Sequence, residues 1–394
     1  MAYQSTTFLI ACFLNWLIQV HGIDQCPCHT PSLCKPVQIG PRREVVAFSV
    51  YRGLWKYYDW THLTTIALFE EQLPNIDPNL LCYAHSHHVR LVPKASFPVQ
   101  QLTNKTHIDQ WIKDKVKMIK TKFLDGINFD IEQSIPIISP EANDLIKFVN
   151  QTTTAIHSAF PGSLVTFDAS YWPQCTIGHC YKNVAISKIV DFVITMNYDE
   201  EGSLIASANS PFRNTVYSIH AYKKAGAQMS KIVTAQPWYG YNYRCLGILI
   251  DDICVNFSEK LFLKNVAKLF KKMKHGLITR RNVKWNIQGN DDSSKSSIEY
   301  GEIEKYLNSN KTSGSKWSNS SQSPYFNYKD AKGAIHQVWY DNPKSLSIKY
   351  SYAIKSGIRG IGMWSTDFPN YVQYPKESAA MWKCIDTVLK NSKP

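Results

Sequence analysis

Short apolar, β-branched runs alternate with helix-patterned stretches about eight times along this chain, and few folds can accommodate that order. The runs are Glu44–Val50 (EVVAFSV), Thr64–Phe69 (TTIALF), Val89–Val92 (VRLV), Gly126–Glu132 (GINFDIE), Leu164–Asp168 (LVTFD), Asp191–Asn197 (DFVITMN), Lys231–Gln236 (KIVTAQ) and Arg359–Trp364 (RGIGMW). Between them, Asp77-Pro78 caps a short helix through Leu81, and Ile108, Ile112, Lys115 and Ile119 follow a helical period. Ser139-Pro140-Glu141 reads as a helix start: a capping hydroxyl, proline at the first helical position, then an acid in the first turn. Leu145, Ile146, Val149, Thr153 and Ile156 form the apolar stripe that follows. Strand and helix alternating this often predict an α/β fold, a (β/α)8 TIM barrel. The first seven runs start roughly 20 to 40 residues apart, but about 125 separate the seventh from the eighth. One crossover does not need so much chain. An inserted α+β subdomain is therefore expected over 241–345, with its own strand His336–Tyr340 (HQVWY). Strands 1–7 then fall within 23–240, and the last strand and a C-terminal helix within 346–394. A doubly wound sheet would need a phosphate-binding glycine loop after its first strand, and Ser49-Val50-Tyr51-Arg52-Gly53 is not one.

At 394 residues, 44% hydrophobic and 19% charged, the chain can bury a full core. Its aromatic share of 13%, with 11 Trp and 22 Tyr, suits a site that stacks on sugar rings as well as it suits a large core. The formal net charge is +13, from 44 Lys+Arg against 31 Asp+Glu, and much of the excess is local. Lys260, Lys264, Lys268, Lys271, Lys272, Lys274, Arg280, Arg281 and Lys284 meet no acid between them. Lys260–Lys274 has the pattern of an amphipathic helix, with Phe262, Val266, Leu269 and Met273 on one side. This basic segment, 260–297, reads as a solvated helix on a tolerant loop, the alternative being a patch for a membrane surface or anionic glycan. No nucleic-acid partner is expected. Phe8–Val20 is apolar apart from Asn15 and Gln19, and Val20-His21-Gly22 resembles a signal-peptidase site, so 1–22 reads as a signal peptide for the secretory route. That run is too short and interrupted for stable membrane insertion. Cys12 falls in the leader. The other nine cysteines read as disulfides with one thiol left over: Cys26, Cys28 and Cys34 crowd the new N-terminus, Cys175/Cys180 and Cys245/Cys254 are close in sequence, and Cys82 and Cys384 stand alone. Zinc is the rival reading, but Cys26-Pro27-Cys28 lacks ligand spacing. Sequons at Asn104, Asn150, Asn256, Asn310 and Asn319 fit the same route.

The stretch Asp125-Gly126-Ile127-Asn128-Phe129-Asp130-Ile131-Glu132 carries the chemistry. Residues two apart on a strand share a face, so Asn128, Asp130 and Glu132 point one way, each about 6.6 Å from the next. Phe129 and Ile131 point the other way, toward helices. In a barrel the polar row must face the interior and climb to the carboxyl-end rim, where active sites lie. Carboxylates so close raise one another's pKa, which equips a rim glutamate to protonate a leaving oxygen.

The pattern D-G-x-N-x-D-x-E resembles the signature of family 18 glycoside hydrolases, the chitinase family. The likeness extends to CPC with a third cysteine at 34, LCYAHS (Leu81–Ser86), MNYDE (Met196–Glu200), PWYGY (Pro237–Tyr241), HQVWYDNP (His336–Pro343) and RGIGMW (Arg359–Trp364). It implies a retaining, substrate-assisted reaction with no metal and no cofactor. Glu132 would be the general acid, Asp130 would orient the substrate's acetamido group, and Tyr198 would donate a hydroxyl to the acetamido carbonyl. Asn128, Met196 and Asp199 would line the same sugar pocket, and Trp364 would floor it. Tyr51, Gln236 and Trp238 would contact sugar from the rims of strands one and seven. Most of the family carries Asp where this chain has Asn128, which can only hydrogen-bond to Asp130, not share a proton with it. A chitobiose-cleaving branch shares the asparagine. It implies a monomeric lysosomal exoglycosidase that splits GlcNAc-β1,4-GlcNAc in oligosaccharides released from N-glycans, removing the reducing-end sugar. An endo-acting chitinase and a non-catalytic chitin-binding lectin on the same barrel are the alternatives. His85, His87 and His88 tempt a metal reading, which that mechanism does not need.

Overall fold

Eight parallel strands close on one another, each with one face toward the barrel interior, mostly apolar, and one toward a coat of helices. The computed structural model describes residues 25–38, 42–50, 52–69, 76–136, 139–174, 181–200, 205–245, 247–248, 252, 254–255, 284–285 and 295–390. Residues 1–22, read above as a signal peptide, Tyr51, Cys175 and Cys180, and nearly all of 260–294 lie outside them. In chain order the first seven strands are β1 (Glu44–Ser49), β2 (Thr65–Leu68), β3 (Arg90–Ala95), β4 (Gly126–Phe129), β5 (Leu164–Ser170), β6 (Phe192–Met196) and β7 (Ile232–Pro237). The eighth barrel strand, β16 (Gly360–Trp364), pairs with both β7 and β1 and closes the cylinder. The coat includes α1 (Pro78–Ser86), α2 (Lys105–Lys122), α3 (Glu141–Ala159), α4 (Asn183–Ile189) and α5 (Phe212–Lys224).

Each strand obeys its alternation. Val46, Phe48, Ala67, Val92, Ile194 and Ala235 form an apolar plug inside the barrel. Their neighbours in sequence, such as Val45, Ala47, Ile66 and Leu91, belong to the larger core between strands and helices. The α2 period behaves as its sequence predicts, with Ile108, Ile112 and Ile119 buried. The α3 stripe buries Leu145, Val149, Thr153 and Ile156 and adds Phe148 and Thr152. Its expected hydroxyl cap is not made: Pro140 occupies the cap position with helical dihedrals and no side-chain cap bond.

Between β7 and β16 the chain leaves the barrel. β8 (Tyr239–Arg244) follows β7 after a single residue. A five-stranded antiparallel sheet forms in the order β12-β8-β15-β14-β13, built from β12 (Lys295–Glu299), β13 (Lys316–Ser318), β14 (Ser323–Lys329) and β15 (Ile335–Trp339). Three short strands, β9 (Gly247–Ile248), β10 (Cys254–Val255) and β11 (Lys284–Trp285), make a second sheet. The helix α6 (Tyr300–Leu307) completes the insert, and α7 (Pro343–Lys355) and α8 (Pro375–Lys390) return to the coat. Gly240 is required on β8, since a Cβ there would lie 2.2 Å from the Trp339 carbonyl oxygen.

The barrel's amino end is held by buried charge. Asp125 accepts backbone N–H bonds from Val37 and Leu91, each 2.7 Å, and lies 3.0 Å from His85 Nε2. His85 Nδ1 lies 2.6 Å from the Leu33 carbonyl oxygen. Both ring nitrogens thus face acceptors, which only the imidazolium can satisfy at once. The next residue, Gly126, has φ +147° and a Cβ there would lie 1.8 Å from the Leu164 carbonyl oxygen, so no side chain fits. Disulfides Cys26–Cys34 and Cys28–Cys82 fasten the N-terminal segment, the second to α1, and Cys245–Cys254 closes a loop of the insert. Cys26, Cys28 and Cys34 cluster within 4.8 Å, but their sulfurs are spent in disulfides, which leaves no thiolate for zinc. Cys384 is free and buried.

Burial opposes a charged His85, but the hydrogen bond and charge of Asp125 outweigh it, so its pKa stands above the ordinary histidine value. A raised folded pKa gives stability that is full below the unfolded value, about 6.5, and is lost as pH rises through the folded one. His85→Gln is therefore expected to lower the unfolding free energy more at about pH 5 than at about pH 8. Denaturant titrations at both pH values check this, and an equal loss at both would contradict it.

Candidate active site

The interior row that ends the hydrophobic plug is polar, and it rises along β4. Strand pairing stops at Phe129, three residues earlier than the sequence pattern predicts. The alternation nonetheless continues: Phe129 and Ile131 are buried in the outer core, while Asn128 and Asp130 are buried on the inner side and Glu132 is solvent-exposed at the mouth. Asp130 keeps one strand-like bond, from its N–H to the Ala95 carbonyl at 3.0 Å. Just beyond, Gln133 accepts the Val99 N–H at 2.8 Å, and its carbonyl accepts the Tyr181 hydroxyl. The residue after Glu132 is thereby tied to two other segments of the chain, through its side chain to Val99 and through its carbonyl to Tyr181.

Below the mouth, Asn128 donates its amide to Asp168 Oδ2 at 2.6 Å and accepts the Thr166 hydroxyl at 2.6 Å. The expectation that Asn128 would serve Asp130 is revised accordingly, because β5 offers it closer partners. Asp130 instead has Lys94 Nζ 2.8 Å from its Oδ2. Lys94 comes from β3, directly opposite Asn128 in register, and its ammonium also lies 5.1 Å from the Phe69 ring centroid. Across the mouth, Asp199 has φ +57° and accepts hydroxyls from Tyr239 and, at 2.6 Å, Tyr241. Its N–H donates to Asn209 at 2.6 Å. The insert therefore fixes one wall of the site, since Tyr239 and Tyr241 are on β8.

The floor is aromatic. Trp364, the last residue of β16, is packed edge-on by Phe69 at 4.7 Å between centroids and lies near-parallel to Tyr198 at 6.5 Å. Met196 ends β6 in register with Ala235 of the interior plug, so it faces inward, half-buried.

Burial first, then the charge of Asp130, raises the Glu132 carboxyl above the ordinary glutamate range, with Lys94 pulling it down and Asp199 adding to the rise. Asp168 is pushed well above its ordinary range by burial and then by Asp130. The Tyr198 phenol is raised by burial, then by Asp168, Asp199, Asp130 and Glu132, and so stays a protonated donor. Such a mouth can hold a proton on a carboxyl at its rim and a negative charge beneath.

The structure brings together Asn128, Asp130, Glu132, Met196, Tyr198, Asp199 and Trp364. It does not bring Gln236 or Trp238 to them. Gln236 pairs in register with Met363 of the outer core, accepts the Ser210 hydroxyl at 2.7 Å and donates to Thr215 on α5 at 3.3 Å. Trp238 is fully buried edge-on to Trp382 of α8, 5.0 Å between centroids. Both are on the outward parity of β7, so neither can contact sugar in the mouth. Lys94, Asp168, Phe69 and Tyr239 were not read from the sequence. For Asp168 and Lys94 the alternation was a usable signal: each shares its strand's inward parity, with Leu164 and with Val92.

Comparison with known proteins follows the same lines. The family described as "Glycosyl hydrolases family 18" matches residues 96–368. Di-N-acetylchitobiase from Rattus norvegicus is 36% identical over 392 residues, which cover 98% of this chain and 99% of the relative. Di-N-acetylchitobiase from Homo sapiens is 35% identical over 371 residues, 92% of this chain and 89% of the relative. Among solved structures, a Group IV chitinase of Ostrinia furnacalis in complex with allosamidin superposes with a TM-score of 0.67 at 14% identity, over 89% of this chain and 100% of that one. A GH18 chitinase of Cycas revoluta in complex with (GlcNAc)3 gives a TM-score of 0.63 at 17% identity, over 86% and 99%. At such identities these two establish the fold alone.

Because burial is the first cause of the raised Glu132 pKa and Asp130 the second, Asp130→Asn is expected to lower the Glu132 titration without returning it to the ordinary glutamate value. Carboxyl-carbon NMR across an acid-to-neutral titration reads this directly. A Glu132 titration that did not move would remove Asp130 from the electrostatics of the rim.

Proposed function

This chain belongs to glycosyl hydrolases family 18 and is a glycoside hydrolase, and on that premise we propose that it cleaves the GlcNAc-β1,4-GlcNAc linkage of chitobiose-containing oligosaccharides. The single observation that carries the reading is the rim position of Glu132: exposed to a ligand, raised in pKa, and set above the ion-paired carboxyl of Asp130. The relatives named di-N-acetylchitobiase support the substrate.

The reaction needs only groups already in the mouth. Glu132 gives its proton to the glycosidic oxygen as the bond from that oxygen to the anomeric carbon breaks. The acetamido carbonyl oxygen of the same sugar attacks the anomeric carbon, forming an oxazolinium ion. Family 18 hydrolysis thereby departs from the two-carboxylate rule. Asp130 accepts the acetamido N–H and stabilises the positive charge that develops, and the Tyr198 hydroxyl holds the carbonyl in line. Trp364 stacks beneath the ring, with Met196 and Asp199 at its sides. Water then enters from the face the leaving group vacated, loses a proton to the Glu132 carboxylate, and opens the oxazolinium with net retention.

The finer reading is a lysosomal exoglycosidase that releases the reducing-end GlcNAc from N-glycan fragments and acts as a monomer. Residues 1–22 and an acid-retaining carboxyl are compatible with that location. Among the described residues no helix is long and apolar enough to cross a membrane.

Glu132→Gln is expected to lower turnover of a chromogenic GlcNAc oligomer at acid pH by about 10²- to 10⁴-fold while leaving binding of the oligomer measurable. Product analysis on a longer oligomer decides the mode of action. Cuts confined to the reducing end support the exo reading, and internal cuts replace it with an endo-acting chitinase. A wild-type protein that binds the oligomer and never cleaves it would make the barrel a lectin.

A further inference from the structure

One cation stands inside this carboxylate cluster with no part in the reaction just described. Lys94 Nζ is 2.8 Å from Asp130 Oδ2, its side chain is 22% exposed, and that of Asp130 is 4%. A pair this far out of water is not a loose surface contact, and removing one member leaves the other's charge uncompensated. The Phe69 ring 5.1 Å from the ammonium gives it a second reason to stay.

The groups around Asp130 show what the lysine is for. On its own strand Asn128 is an amide that takes no proton, and both its ends are engaged on β5, by Thr166 and Asp168. Asp168 is a carboxyl buried behind Asp130, on β5. Glu132 is the carboxyl in front of it, on the extension of β4. Asp199 faces them from beyond β6, held by the hydroxyls of Tyr239 and Tyr241. Tyr198 and Tyr181 are phenols whose raised pKa values keep them neutral. Lys295, from the insert, stands over Tyr241, 4.0 Å from its ring centroid, and acts on Asp199. Lys94 is the described cation that ion-pairs with Asp130. Without it three carboxyls, Asp130, Asp168 and Glu132, would compete for protons, and Asp130 could take the one that Glu132 must donate.

We propose that Lys94 is a positioning residue for hydrolysis: it holds Asp130 as an oriented carboxylate, so that the proton of the mouth resides on Glu132 and Asp130 accepts the acetamido N–H. The assignment rests on the function proposed above. In this chain Asn128 cannot share a proton with Asp130, and the charge of Lys94 does the work that a shared proton would otherwise do. Lys94 takes no part in bond making. It acts through Asp130, and its charge is unchanged through the cycle.

The test compares wild type, Lys94→Met and Lys94→Arg, with kcat and KM measured against pH on a GlcNAc oligomer. Removing the positive charge is expected to raise the acid limb of the kcat/KM profile by about one pH unit, the shift a neighbouring cation typically gives an aspartate. Below that limb, activity then falls about tenfold. KM should move less than kcat, and Lys94→Arg should restore the limb. A merely structural lysine would lower the thermal midpoint and leave the limb in place, so an unmoved limb in folded Lys94→Met overturns the proposal. If Lys94→Met does not fold, Lys94→Gln, which keeps a donor without the charge, is read the same way. The Asp130 carboxyl-carbon resonance supplies a readout independent of turnover. It should titrate higher in the uncharged variant, and an identical titration overturns the proposal even if wild type proves inactive on the oligomer, a result that would instead sink the function proposed above.

Discussion

Carboxyl groups crowded into a barrel mouth cannot all be ionised at little cost, and the arrangement of this site follows from that constraint. Asp130, Glu132 and Asp168 converge from two neighbouring strands onto one interior. Each is dealt with differently. Asp168, wholly buried, is held by the Asn128 amide and by a pKa pushed far up. Asp130 has a lysine beside it. Glu132 is left at the edge, exposed, with its carboxyl pKa raised by burial and by the charge of Asp130. The three carboxyls thus differ in depth and in partners, across two adjacent strands.

The same eight-residue motif anchors the barrel at one end and places its ionisable groups at the mouth at the other. Asp125 and Gly126 belong to the amino end, where the carboxylate gathers two backbone N–H groups and His85, and where only a hydrogen at Cα fits under the Leu164 carbonyl. A second buried charge cluster works at that end too, with Glu44 between Arg90 at 2.7 Å and Arg359 at 3.2 Å. The carboxyl end carries the ionisable groups a ligand can reach. Barrel enzymes divide stability and catalysis in this way because their loops, and hence their variable chemistry, lie at the carboxyl ends of the strands. Here the division runs through one strand, and the apolar plug of Phe48, Val92 and Ile194 keeps the two charge clusters apart.

The insert is more than a decoration on a tolerant connection. β8 follows β7 after one residue, so its first tyrosines arrive at the rim and fix the Asp199 side chain. This explains why Gln236 and Trp238 turn away from the mouth. The PWYGY stretch reads as one extended run, and nothing in it says which parity turns inward. Strand pairing with Met363 sends Gln236 outward, Trp238 follows to pack on Trp382, and Tyr239 inherits the place expected of the tryptophan.

The order of strands and helices, the long interval before the last strand, and the row Asn128-Asp130-Glu132 were legible in the amino-acid sequence, since each depends on local periodicity and a residue knows its own neighbours two and four places away. The family likeness added roles for Tyr198, Asp199, Met196 and Trp364. The tertiary structure alone decided that Asn128 bonds Asp168, that Lys94 pairs with Asp130, and that Cys82 finds Cys28. Those choices depend on register between strands and on the closing of the cylinder. Both are settled by packing among residues far apart in the chain, so no window of sequence contains them.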